Sequence, residues 1–153
     1  MRNLISFTAI FLSALLLISG CRRKEPAQID NAAIVRKAIA GQLNKKPDEL
    51  TTEDYEKTTE LVLYGTQVSD LTSIKALINL QWLSIIGTAV SDLTPIKELN
   101  KLQVLYFSGT KVSDLTPIKE LKGLKMLELS GKAVSNEQVA ELKKALPKLR
   151  IIR

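Results

Sequence analysis

Sliding the chain against itself by 22 residues superimposes its apolar side chains, and no other feature narrows the possible folds as much. Leu61, Leu83, Leu105, Leu127 and Leu149 fall in one column, and Leu63, Ile85, Phe107, Leu129 and Ile151 in a second. Gly65, Gly87, Gly109 and Gly131 make a third, and Val68, Val90, Val112 and Val134 a fourth. Leu71, Leu93 and Leu115, then Ile74, Ile96 and Ile118, then Leu77, Leu99 and Leu121, and finally Leu80, Leu102, Leu124 and Leu146 complete the pattern. A fixed period of this length marks a solenoid, in which each unit buries its apolar side only against its neighbours.

Each unit reads as a short strand carrying two inward residues two apart, a Gly-Thr turn, and a return arm whose apolar residues face the same way. Five such strands, stacked at about 4.8 Å, make a parallel sheet spanning roughly 20 Å. Pro95 and Pro117 suit an arm that carries no sheet ladder, because proline offers no backbone donor. The run Leu102-Gln-Val-Leu-Tyr-Phe-Ser-Gly-Thr-Lys-Val-Ser-Asp-Leu-Thr-Pro-Ile118 resembles the 22-residue leucine-rich repeats of internalins and related bacterial surface proteins. The resemblance covers residues 30 to 153. It implies an α/β leucine-rich-repeat solenoid with a parallel sheet on its concave face and a partner held by that face. The position often held by Asn in that family is Thr66, Thr88 and Thr110 here, and finally Lys132.

The ends read as caps. Ile34, Val35, Ala38 and Ile39 have helical spacing over residues 31 to 40, with Asp30 or Asn31 as N-cap and Gly41 as the stop. Thr51 with an acid three residues later, Asp54, offers a weaker form of capping box for a second short helix. Together these resemble the helical N-terminal cap of internalin-like proteins, residues 30–57, with repeats over 58–153. Ser135-Asn-Glu-Gln138 is a capping box for a more helical last unit, which Pro147 stops. The closing strand is expected over Leu149 to Ile151, its edge guarded by Lys148, Arg150 and Arg153, where a partner strand also has room to dock.

The N-terminus carries a different signal. Arg2 precedes an apolar run from Leu4 to Ile18 that ends in Ser19-Gly20-Cys21. The run is short for a membrane span and ends on small residues, which is the form of a secretion signal over residues 1–20. Ile18-Ser-Gly-Cys21 resembles the lipobox of bacterial lipoproteins, which implies lipidation of Cys21 and a tether over 21–29. Cys21 is the only cysteine, so no internal disulfide forms. Arg22 stands where an aspartate would favour inner-membrane retention, so the resemblance leans toward the outer membrane of the cell envelope.

Catalytic chemistry is poorly provided for. The chain has no histidine, its one thiol is assigned to lipid, and its glycines are spread one per repeat instead of gathered into a phosphate loop. No catalytic residue, cofactor or metal site is expected. Asp70, Asp92 and Asp114, continued by Asn136, form a row that invites calcium, but one carboxylate per rung is few for an ion taking six to eight oxygens. Hydrogen bonding within each Asp-Leu-Thr turn is the expected role.

Strand alternation puts three further columns on the open face: Glu60, Trp82, Val104, Met126 and Lys148; Val62, Ser84, Tyr106, Glu128 and Arg150; and Tyr64, Ile86, Ser108, Ser130 and Ile152. Tyr64, Trp82, Ile86, Val104, Tyr106, Met126 and Glu128 are the expected partner-binding residues, an apolar and aromatic centre with a charged rim. The expected partners are a protein and, through Cys21, a membrane, with weak self-association and no nucleic acid. A purely structural role in the periplasm stays open beside that reading.

Overall fold

The computed structural model describes residues 29–130 and 133–153. The signal segment, Cys21 and tether residues 22–28 lie outside that range, as do Gly131 and Lys132. Among the described residues no helix is long and apolar enough to cross a membrane.

Five three-residue strands, β1 (Glu60–Val62), β2 (Trp82–Ser84), β3 (Val104–Tyr106), β4 (Met126–Glu128) and β5 (Arg150–Ile152), form one parallel sheet in sequential order. From β1 to β4 the register equals the sequence period: Leu61 pairs with Leu83, Leu83 with Leu105, and Leu105 with Leu127. All four leucines are fully buried. The return arms are short 3₁₀ turns, Thr72–Ala76, Thr94–Ile96 and Thr116–Ile118, with Pro95 and Pro117 in their first turn. There the missing N–H costs nothing. The Leu, Ile and Leu columns of the arms (Leu93, Ile96 and Leu99 in the second rung) meet the strand columns in one continuous core.

The turns after β1, β2 and β3 need glycine. Gly65, Gly87 and Gly109 adopt φ of 64°, 67° and 70°, left-handed values that side chains disfavour. The next residue closes the turn: the hydroxyls of Thr66, Thr88 and Thr110 donate to the carbonyls of Leu63, Ile85 and Phe107 at 2.8, 2.7 and 2.8 Å. The threonine ladder thus works within each of these three rungs.

The last rung corrects the expected register. Leu127 pairs with Ile151 and Met126 with Arg150, an offset of 24 residues, so the strand is Arg150–Ile152 instead of Leu149 to Ile151. The cause is helix α3 (Asn136–Ala145), which replaces a 3₁₀ arm. An α-helix advances only 1.5 Å per residue, so covering a similar span consumes more chain. Leu149 still lands inside, because a slip of two preserves strand alternation.

At the N-terminal end α1 (Asn31–Gln42) lays Val35 and Ile39 on the open core of the first rung. Asp30 caps it, accepting from the Ala33 N–H at 2.9 Å. Gly41 does not stop the helix as expected. Helical bonding runs to Gln42, and the left-handed residue just beyond is Asn44, φ 53°. Asn31 ties the cap to the first turn: its Oδ1 accepts the N–H groups of Ser69 and Asp70 at 2.8 and 3.3 Å. Helix α2 (Thr52–Lys57) has the reciprocal box, with Thr51 N–H donating to Asp54 Oδ2 at 2.8 Å and Asp54 N–H to Thr51 Oγ1 at 3.3 Å. Lys45 also donates to Asp54, at 2.7 Å, and this ammonium together with the Thr51 N–H pulls the Asp54 carboxyl down to about 2. In α3 the box is only half made. Ser135 accepts from Gln138 N–H, but the Gln138 side chain accepts the Leu115 N–H at 3.1 Å and so stitches the last rung to the one before.

Candidate protein-binding face

The concave face is set by the pleat. With Leu83, Leu105 and Leu127 turned inward, their strand neighbours turn out. Trp82 stands beside Val104 and Val104 beside Met126, while Tyr106 stands between Ser84 and Glu128. The Trp82 and Tyr106 rings meet diagonally, edge to face, with centroids 5.7 Å apart and planes at 77°. This geometry sets the positive edge of one ring on the negative face of the other. The Tyr106 hydroxyl then donates to Met126 Sδ at 3.3 Å. Three rungs thus contribute one connected aromatic and thioether patch.

Trp82 remains 40% exposed and Tyr64, one rung earlier, 69% exposed. Val104, Tyr106, Ile86, Met126 and Glu128 are half-buried. Two residues placed on the open face by alternation are in fact enclosed: Ser84 is 7% and Ser108 8% exposed. Ser108 donates to Glu128 at 3.2 Å, holding that carboxylate at the edge of the patch. The changed register of β5 also alters the far rim: Arg150 lies beside Met126 and Ile152 beside Glu128, where Lys148 and Arg150 were expected.

Sequence reasoning missed a second feature of this side. An open groove of about 610 Å³ runs between α1 and the first rung, lined chiefly by Ile34, Ala38, Val62 and the stem of Lys37. Its signal was present, since the apolar stripe of α1 (Ile34, Val35, Ala38 and Ile39) is wider than the end of one rung covers.

The aspartate row serves its turns. Oδ1 of Asp70, Asp92 and Asp114 accepts the N–H two residues on, from Thr72, Thr94 and Thr116, at 2.8, 2.7 and 2.8 Å. Hydrogen bonds from Thr94 and from Thr116 hold the Asp92 and Asp114 carboxyls below the usual carboxylate range. No group of three or more metal-ligating side chains occurs among the described residues.

No family model and no curated protein matches the chain. Solved structures do. An internalin of Listeria monocytogenes, inlF, superposes with a TM-score of 0.68 at 28% identity, covering 76% of this chain and 34% of that one. Internalin C2 of the same organism gives 0.64 at 23% identity over 77% of this chain and 52% of its own. A leucine-rich-repeat protein of Leptospira interrogans gives 0.60 at 32% identity over 68% and 28%. The chain therefore spans between about a quarter and a half of the length of these similar proteins.

Proposed function

Because the chain is an internalin-like leucine-rich-repeat solenoid, we propose that it is a non-catalytic module that holds a protein partner on its concave face. The observation that carries the reading is the joined patch of Trp82, Tyr106 and Met126, apolar and aromatic, on the open side of a sheet whose core needs none of them. Aromatic side chains at the centre of a surface, ringed by charge, are the usual anchors of protein interfaces. Glu128 and Arg150 supply one charged edge and Glu60 the other. An ordinary interface takes about 800 Å² from each partner, so binding would occupy nearly the whole of so short a face.

The module works at a membrane in this proposal. Its supports lie in the sequence: the apolar run 4 to 18, the lipobox-like Ile18-Ser-Gly-Cys21, and basic Arg22, Arg23 and Lys24 beside the headgroups. Lipid on Cys21 would place the solenoid in the cell envelope, with the outer membrane favoured by Arg22.

Crosslinking from intact cells tests the binding reading. A partner captured by the parent chain and lost with Trp82→Ala and Tyr106→Ala, both folded, supports it; a partner retained by the double variant refutes it. Mass spectrometry of the purified chain tests the anchor, which predicts a mature N-terminus at Cys21 carrying acyl groups.

A further inference from the structure

The positive charge of this domain is concentrated at its C-terminal end. Residues 121–153 carry eight Lys and Arg against three Glu, whereas residues 29–120 carry ten against twelve acids. Four of the eight, Lys122, Lys125, Lys144 and Lys148, flank the segments by which the chain enters β4 and β5. There a shallow groove of about 250 Å³ is floored by Leu124, Leu146 and Pro147 and rimmed by Lys122 and Lys148. Lys125 follows Leu124 in the chain and Lys144 precedes Ala145, another lining residue, and all four lysines are exposed.

Some lysines of the solenoid find acids: Lys45 reaches Asp54 and Lys119 reaches Glu141, both at 2.7 Å. Here they do not. Lys122 only approaches Glu120 at 3.9 Å, Lys125 donates to the neutral Gln103 at 2.9 Å, and among the described residues Lys144 and Lys148 meet no carboxylate within 4.0 Å. Ammonium groups on flexible stems, without an arginine fork or a stacking ring, suit a diffuse anionic layer better than one shaped ligand. Exposed Pro147 adds apolar surface beside them.

We infer that this lysine corner rests on an anionic lipid surface. The strands then rise away from the bilayer, since the corner lies at their N-terminal ends, and the concave face looks sideways along the membrane. Eight residues of tether between Cys21 and Asp30 reach up to about 30 Å, further than the roughly 20 Å across five strands, so an anchor at one end permits contact at the other. The contact depends on the lysines alone and holds with or without acylation of Cys21.

The test uses residues 29–153, which contain every core side chain, so that neither the tether nor a lipid contributes. The protein is sedimented with vesicles of phosphatidylglycerol and phosphatidylcholine, and with pure phosphatidylcholine. A lysine near an anionic surface contributes about fivefold in partitioning, so K122Q/K125Q/K144Q/K148Q is expected to weaken binding several hundredfold, with an unchanged urea midpoint. Equal binding to neutral vesicles, undiminished binding by the quadruple variant, or binding to polyglutamate but not to the anionic vesicles would each overturn the inference.

Discussion

Replacing Gly87 with alanine isolates what the turn demands from what the core demands. Gly87 sits at φ 67°, and a Cβ built on it meets nothing closer than the Gly65 Cα and N, both at 3.8 Å. That is ordinary van der Waals contact, so the added methyl fits and the cost is conformational. An L-residue in the left-handed region loses about 1–2 kcal/mol, and this is the destabilisation expected of Gly87→Ala. Valine, branched at Cβ, should cost more at the same position, because left-handed backbone is least accessible to branched residues. Urea unfolding followed by far-UV circular dichroism and by Trp82 fluorescence supplies both checks. The midpoint should fall with an unchanged slope, and the two probes should coincide if the rungs unfold together. An alanine variant as stable as the parent would show that these glycines are not held by φ, and the turn account would be wrong.

Three other outcomes follow from the same reasoning. Gly41→Ala should stabilise by about 1 kcal/mol in the same urea experiment, because Gly41 is an exposed position inside α1 with nothing within 4 Å of its Cβ site. Leu105→Ala, in the fully buried central column, should cost about 2–5 kcal/mol through lost burial and the cavity left between rungs. Asp54 is held at about 2 in the folded chain against 3.8 ordinarily, so the ionised form is favoured by folding. Its contribution is present above pH of about 4 and disappears as pH falls toward about 2; a pH series of melting temperatures should show Asp54→Asn losing part of that slope.

The repeat was legible because each rung spends the same positions on the same tasks. Leucine at 61, 83 and 105 meets leucine above and below, glycine meets the left-handed turn, and both demands recur every 22 residues. The slip at β5 was hidden by the alternation that made the strands readable. Leu149 and Ile151 are both apolar and two apart, so either satisfies the inward column and only the length of α3 decides between them. Gly41 misled for a related reason, since glycine permits a helix end without requiring one and Asn44 took the left-handed place. On the candidate face, the columns containing Trp82, Tyr106 and Met126 followed from the pleat. Their diagonal contacts depend on side-chain rotation, which no spacing encodes. The bonds from Ser69 to Asn31 and from Leu115 to Gln138 span 38 and 23 residues, and likewise leave no local pattern.

The central claim is that the aromatic patch holds a partner while contributing little to the fold. Its most direct measurement is the affinity of a purified, captured partner for the parent chain and for Trp82→Ala, beside the urea midpoint of each. A truncated aromatic anchor commonly costs 2 kcal/mol or more of binding, so a loss of about thirtyfold or greater with a nearly unchanged midpoint is predicted. Equal affinity, or a variant that no longer folds, would contradict the account.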